Sequence, residues 1–278
     1  MKNLLIIGSG IAGMALASEI YNKRKYNITI LESGGVSSKK NQNLNQEEKI
    51  NNNKLINDLN LSDMEYEYSS RLGWLNNLDR LRFRGLGGSA KYWGSESQLF
   101  LNTDLERDYD NNGKWPIKFQ ELNYYYNKAI KLFGFKRKYL STSKKYKLFN
   151  EIYWSRNQDT QKVSKKLYNF LKNKIKIITE ATCLEIIFSQ NKAVSAKVNI
   201  KGKLEIINFD TVVLSCGAIE STRLLMNSLS LKKNMKIKNY NNLGKFFLDH
   251  PHGYIGSINN TSKSFQKEFV KQNIYKNK

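Results

Sequence analysis

The feature that most constrains this chain is a group of three glycines close to its first residue. The short apolar run Leu4–Ile7 is followed by Gly8, Gly10 and Gly13, in the spacing G-x-G-x-x-G. Such a run is typical of a strand buried on both faces of a parallel sheet. Helix-forming residues and a second apolar run come next. The order of strand, glycine turn, helix and strand predicts a βαβ unit that binds a nucleotide.

The three glycines have different physical tasks in such a unit. Gly8 lets the chain turn out of the strand, Gly10 lets a pyrophosphate approach the backbone, and Gly13 lets the helix pack on the sheet. The start of the helix adds unpaired N–H groups and the positive end of the helix dipole. The residues between the glycines therefore belong to the predicted site: Ser9, Ile11 and Ala12.

A carboxylate completes the pattern. Glu32 ends the second apolar run, about 20 residues after the glycines, where an acid reaches the ribose hydroxyls of a dinucleotide. A carboxylate at this place repels a ribose 2′-phosphate, which disfavours NADP. The pattern does not separate NAD from FAD, and a tight strand-to-helix turn that binds nothing would also produce it.

Five segments along the chain carry further information. They read ILESGG (Ile30–Gly35), RFRGLGGSAKYWG (Arg82–Gly94), WPIKFQELNYYY (Trp115–Tyr126), VVLSCGAIESTRLL (Val212–Leu225) and NLGKFFLDHP (Asn242–Pro251). In this order they resemble the flavin-binding segments of the glucose–methanol–choline (GMC) family of oxidoreductases. The resemblance implies that the cofactor is FAD.

The resemblance also implies a fold and a division into domains. The fold class is α/β: an FAD/NAD(P)-binding Rossmann-like domain, a parallel sheet with helices and a β-meander insert, joined to part of an α+β substrate domain. Residues 1–101 and 156–250 would form the FAD-binding domain. Residues 102–155 would form a partial cap lobe, and residues 251–278 the start of the substrate domain followed by a polar tail.

Further cofactor-binding residues follow from the matched positions. Ser33 stands beside the ribose-binding acid, and Gly87, Gly88 and Ser89 would pass along the pyrophosphate and the flavin edge. Paired glycines also mark ordinary loops, so a plain loop is the alternative at this place. Trp93 and Gly94 would lie near the flavin.

Three of the matched positions have a structural alternative of their own. Trp93 stands where many relatives have Asn, and core packing is its alternative role. Cys183 stands where relatives use a Val whose backbone holds the adenine, and its alternative role is strand core. Gly217 would turn its N–H toward the cofactor, or serve only as a tight-turn glycine.

The family oxidises CH–OH groups of sugars or other alcohols by hydride transfer to flavin, with a C-terminal His as the base. No sequence after residue 258 resembles that region. We therefore expect an N-terminal, C-terminally truncated portion that lacks the catalytic base, with a C-terminal half supplied in trans as a partner. No catalytic residue is assigned. The segment that contains His250 and His252 is interpreted as a place where the chain crosses near the cofactor, not as the proton acceptor. The alternatives are a non-catalytic FAD-binding module, half of a split enzyme, and an NAD-linked dehydrogenase.

Composition narrows the remaining classes. The formal net charge is +22, from 46 basic and 24 acidic residues, but the lysines are spread along the chain rather than clustered with aromatics, so no nucleic-acid partner is predicted. No apolar run is long enough for a transmembrane helix, although residues 4–17 have some likeness to a signal peptide. Cys183 and Cys216 lack metal-ligand spacing, so no metal is predicted and a reducing, cytoplasmic location is expected.

Overall fold

The protein is described by a computed structural model. It describes residues 1–36, 84–91, 96–97, 99–100, 102–106, 115–133, 143–145, 150–152, 155–156, 160–230, 240–245 and 247. The chain divides into two compact units, Met1–Leu243 and Gly244–Lys278. The elements below all lie in the first unit. In the second unit the described residues are 244, 245 and 247.

The centre of the first unit is a parallel sheet of four strands, in the order β11-β1-β2-β7. Its strands are β1 Lys2–Ile7, β2 Tyr26–Leu31, β7 Lys176–Ile178 and β11 Thr211–Leu214. The sheet joins strands that are far apart in sequence, because β11 pairs with β1 through Leu4 opposite Thr211.

Strand β1 is buried on both faces, as its apolar run predicts. Leu4 and Ile6 pack on one side against helices α1 (Ile11–Tyr21) and α4 (Thr160–Leu171). Leu5 and Ile7 pack on the other side with the β-meander. The alternation follows from the two-residue period of a strand, which sends successive side chains to opposite faces of the sheet.

The second layer is an antiparallel meander in the order β10-β9-β8. Its strands are β8 Ala181–Ser189, β9 Lys192–Ile200 and β10 Lys203–Asn208. The two hairpin turns have positive φ at both central residues, which is the type I′ geometry that matches strand twist. These residues are Gln190 and Asn191 in the first turn, and Lys201 and Gly202 in the second.

The remaining described elements surround this core. The helices are α2 Asn102–Glu106, α3 Phe119–Phe133 and α5 Ala218–Ser230. The short strands are β3 Glu96–Ser97, β4 Ser143–Lys145, β5 Asn150–Ile152 and β6 Ser155–Arg156. Two 3-10 turns cover Gly88–Lys91 and Tyr240–Asn242. Helix α5 packs against β8 and contributes the buried Leu224 to the meander side of the core.

The predicted fold class is confirmed: the chain is α/β, with a parallel sheet, covering helices and a β-meander. The proposed start of a substrate domain at residues 251–278 lies outside the described residues.

Leu5 tests how much the core on the meander side contributes to stability. The side chain is 1% exposed and contacts both layers, so Leu5→Ala removes buried apolar area and leaves a cavity. We expect the free energy of unfolding in urea to fall by about 2–5 kcal/mol. Leu204→Ala is the matched control, since Leu204 is 48% exposed and its loss should change stability by less than about 0.5 kcal/mol. Equal effects of the two substitutions would contradict the two-layer core.

Candidate dinucleotide-binding site

The order of the parallel strands locates a crevice. From β1 the chain proceeds outward to β2 and β7, and then returns to the other side of β1 with β11. Such a reversal is a topological switch point, where ligands of open α/β sheets bind beyond the carboxyl ends of the strands. The carboxyl ends of β1 and β11 are followed by Gly8 and Ser215, which therefore border this crevice.

Gly8 and Gly13 are required by the fold itself. Gly8 has φ +103°, and a Cβ there would lie 2.6 Å from the carbonyl oxygen of Ser215. A Cβ on Gly13 would lie 2.3 Å from the carbonyl oxygen of Gly8 and 2.5 Å from Oγ of Ser215. The absence of a side chain at both positions allows strand β1, the glycine turn and helix α1 to pack in close backbone contact.

Gly10 is different, because the protein leaves room for a side chain there. Its φ is −61°, which any residue adopts. Among the described residues, a Cβ at Gly10 would meet only the carbonyl oxygen of Ser215, at the ordinary contact distance of 3.8 Å. Neither the backbone conformation nor packing against the described residues explains a glycine at this position. The missing side chain is what a ligand that approaches the backbone requires.

Helix α1 begins at this open position. Gly10 is the residue that precedes the helix, and it supplies no side-chain hydrogen bond to the first turn. Ile11 is half-buried and Ala12 is exposed, so the opening turn faces outward. Its N–H groups and the positive end of the helix dipole form a site suited to phosphate.

Glu32 follows β2 and points at the glycine loop, Gly8–Gly13. Its side chain is 6% exposed. Oε2 accepts the N–H of Ser9 at 3.2 Å and the hydroxyl of Ser9. Oε1 accepts the N–H of Gly34 at 2.9 Å and the N–H of Gly85 at 3.1 Å. The hydroxyl of Ser33 lies 3.4 Å from the same oxygen. One carboxylate thus holds three separate parts of the chain together.

The second glycine segment, Arg84–Lys91, lies directly on the glycine loop. Gly87 forms a parallel bridge with Gly10, and its N–H donates to the hydroxyl of Ser9 at 3.1 Å. Gly88 has φ +58°, and a Cβ there would lie 3.4 Å from Cα of Gly10. Ser89 is exposed in the 3-10 turn that follows. The structure therefore brings both predicted glycine segments to one place.

The structure places Cys183 in the core and Gly217 at the surface. Cys183 lies in β8, pairs with Val198, and is 7% exposed among apolar side chains. Burial raises the pKa of its thiol to about 12 and also raises the pKa of the Cys216 thiol, so both thiols stay protonated at neutral pH and are poor nucleophiles. Gly217 joins β11 to α5 with φ +87°, and no atom of the described residues lies within 4 Å of a Cβ built on it.

Some predicted positions fall outside the part of the chain that the structure describes. These are Trp93 and Gly94, together with His250 and His252. Within the described ranges, no group of three or more His, Cys, Asp or Glu residues is placed to hold a metal ion. No helix in those ranges is long and apolar enough to cross a membrane.

Sequence reasoning missed three residues of this site. Ser215 donates its hydroxyl to the carbonyls of Ile7 and Gly8, at 3.0 and 2.9 Å, and fastens β11 to the start of the turn. Gly34 and Gly85 donate their amides to Glu32, and a Cβ on Gly34 would lie 2.4 Å from N of Gly85. The available signal was the Ser-Gly-Gly that follows Glu32 and the glycine that precedes Gly87.

A glycine loop at a switch point, a helix start without a side-chain cap and a buried acid at the end of β2 define a Rossmann-like dinucleotide-binding protein. The chain belongs to the GMC oxidoreductase family, whose model matches residues 114–252, half of the chain. Membership of this family indicates that the cofactor of the chain is FAD.

Solved structures share the fold. Pyridoxine 4-oxidase from Mesorbium loti superposes with a TM-score of 0.51 at 14% identity, over 82% of this chain and 52% of that one. An FAD-dependent oxidoreductase from Chaetomium thermophilum gives a TM-score of 0.49 at 10% identity, over 81% and 47% of the two chains. The chain thus spans about half the length of these relatives. No curated protein matches it in sequence.

The residues present fit FAD. The observation that shows this is the open position at Gly10, which lies between the start of α1 and the second glycine segment. Ile11 and Ala12 can donate backbone N–H groups to the diphosphate, and Oε2 of Glu32 is directed at the same loop.

Gly10 and Gly13 form a matched pair for a stability test. Gly13→Ala places a Cβ against the backbone of Gly8, so we expect it to lower the free energy of unfolding by about 2 kcal/mol or more. Gly10→Ala places a methyl group in open space. It should lower the free energy of unfolding by less than about 1 kcal/mol, mainly because alanine is less favourable than glycine at the residue that precedes a helix. Urea denaturation of the cofactor-free chain measures both values, and an equal loss in the two variants would show that the space at Gly10 does not exist.

Proposed function

We propose that this chain is the FAD-binding part of an oxidoreductase that oxidises a CH–OH group of a sugar or other alcohol. The observation that carries the proposal is the open space beside Gly10. The described residues would tolerate a side chain there, whereas a dinucleotide that approaches the backbone would not. Family membership supports the flavin as the redox group. An alcohol or a sugar as the substrate is what the family resemblance implies.

The proposed division of labour follows the geometry. The N–H groups at Ile11 and Ala12 hold the diphosphate, and Glu32 holds the ribose next to the adenine. Ser33 supports Glu32, since its hydroxyl is oriented to the same carboxylate. The backbone of Cys183 and the exposed turn at Gly217 are proposed to bind the adenine end of the cofactor.

The second glycine segment is proposed to follow the cofactor toward the flavin. Gly87 and Gly88 have no side chains and contact the glycine loop, so a cofactor can pass close to both. Ser89 is exposed at the start of the adjoining turn. Trp93 and Gly94 continue this path in the proposal. Residues 1–101 and 156–250 together supply the FAD-binding domain, which is supported by the sheet that joins strands from both ranges.

The chemistry divides between the cofactor and residues that are not assigned on this chain. FAD, when bound, supplies the hydride acceptor. A base must also take the hydroxyl proton of the substrate. We propose that this base is not among the residues described and that a C-terminal region, in the same polypeptide or in trans, contributes it. The family resemblance supports this division, because the family carries its base in a C-terminal region.

Cofactor binding is the first test. We expect the purified full chain to carry flavin absorbance and to release FAD of the correct mass on denaturation. Gly10→Ala should lower the FAD content at least about tenfold, because its methyl group occupies the place of the diphosphate, while the fold persists. Leu204→Ala, on the exposed edge of the meander, should retain wild-type content. A colourless wild-type protein that also fails to bind added FAD would contradict the proposal.

Turnover is the second test. Under anaerobic conditions, sugars and simple alcohols should leave the flavin of the chain alone oxidised. The same substrates should bleach the flavin when a GMC C-terminal region is added as a second polypeptide. Bleaching by the chain alone would contradict the missing-base proposal. An oxidised flavin in both mixtures would favour the alternative function, a non-catalytic FAD-binding module.

A further inference from the structure

We infer that Ser9 is a positioning residue of the dinucleotide site. Its hydroxyl joins the carboxylate of Glu32 to the N–H of Gly87, and this connection fixes the second glycine segment, Arg84–Lys91, on the glycine loop before a cofactor binds. The inference rests on the proposed FAD site, and it assigns a task to a side chain that the glycine spacing leaves open.

The contacts of Ser9 are those of a buried connector. The residue is 0% exposed. Its hydroxyl donates to Oε2 of Glu32 and accepts the N–H of Gly87 at 3.1 Å. Its backbone N–H donates to the same carboxylate oxygen at 3.2 Å. A hydroxyl is one donor and also an acceptor, so a single side chain can serve both partners at once.

The partners of Ser9 come from distant parts of the sequence. Glu32 is 23 residues from Ser9, and Gly87 is 78 residues away. Alanine at position 9 would keep the volume and remove the acceptor of the buried Gly87 N–H. An unpaired buried amide is costly, so the second glycine segment would move until the amide met water or another acceptor. The hydroxyl therefore helps to determine where this segment lies, together with the Gly85 amide on Glu32 and the Leu86 amide on the carbonyl of Gly35.

The carboxylate of Glu32 is held in place by the same connection. Each of its oxygens accepts at least two protein donors, which uses about four acceptor sites, the capacity of a carboxylate. Because these acceptor sites are filled, a ribose hydroxyl that binds Glu32 has to share or replace one of the protein donors. The orientation of the carboxylate is already fixed, and a preformed site loses less freedom on binding. The opposite possibility is that the Ser9 hydroxyl competes with the ribose, and it predicts tighter binding when the hydroxyl is removed.

Ser228 provides a matched control for the loss of a buried hydroxyl. It is also 0% exposed. Its hydroxyl accepts the N–H of Ile186 at 2.8 Å and donates to the carbonyl of Leu224 at 2.6 Å. These partners lie in β8 and α5, on the meander side of the core. Ser228→Ala thus reports the stability cost alone, and Ser9→Ala reports that cost together with positioning.

The experiment uses the full chain, cofactor-free and reconstituted with FAD. Hydrogen exchange of the peptide that covers residues 84–91 should be about tenfold faster in cofactor-free Ser9→Ala and unchanged in Ser228→Ala. The dissociation constant of FAD should rise about tenfold in Ser9→Ala and stay at the wild-type value in Ser228→Ala. Both variants should melt at a lower temperature. Ser9→Cys, with a weaker acceptor, should give intermediate exchange and affinity, and it replaces the alanine variant if that does not fold.

Two results would overturn the inference. One is wild-type exchange of residues 84–91 in the Ser9 variants, and the other is unchanged or tighter FAD binding. A wild-type chain that binds no FAD would remove the proposed function, whereas the exchange measurement on the cofactor-free protein would still decide whether Ser9 positions the second glycine segment.

Discussion

The interaction on which the rest of the site depends is the buried carboxylate of Glu32. It accepts the backbone amides of Ser9, Gly34 and Gly85, which lie in three separate turns of the chain. Main-chain amides that point inward from glycine-rich turns need an acceptor, because a buried N–H without a partner is unfavourable. A charged carboxylate satisfies several of them at once with charge-assisted hydrogen bonds. The acid thus holds together the turns that surround the proposed site.

The parallel sheet gives this cluster a rigid base. The backbone of Glu32 continues the sheet, since its N–H donates to Ile178 at 2.8 Å and its carbonyl accepts the N–H of Ala181 at 2.9 Å. Strand β1 is covered by α1 and α4 on one face and by the meander on the other. Because both faces of β1 are packed, the turn that leaves it cannot shift without disturbing two cores. The glycine loop is thereby held at the end of a strand that is packed on both faces.

Much of the fold could be predicted from local sequence. The apolar run of β1 and the helix-forming run after Gly13 each depend on neighbours within a few residues, where composition and periodicity are informative. The glycine spacing likewise marked the positions at which a side chain is absent. It did not distinguish Gly10, where the described residues leave room for a Cβ, from Gly13, where they do not. That difference lies in which atoms surround each Cα.

The sequence alone is sufficient to predict the βαβ unit, the acid at its end and, through five ordered segments, the family. Only the tertiary structure decided that Ser9 bonds to Gly87, that Gly34 packs on Gly85, and that Ser215 fastens the turn after β1. The physical reason is separation along the chain. These pairs meet because β11 returns beside β1 and because the second glycine segment packs on the first, and the partner of a buried hydroxyl or amide is fixed by those long-range contacts, which no local pattern encodes.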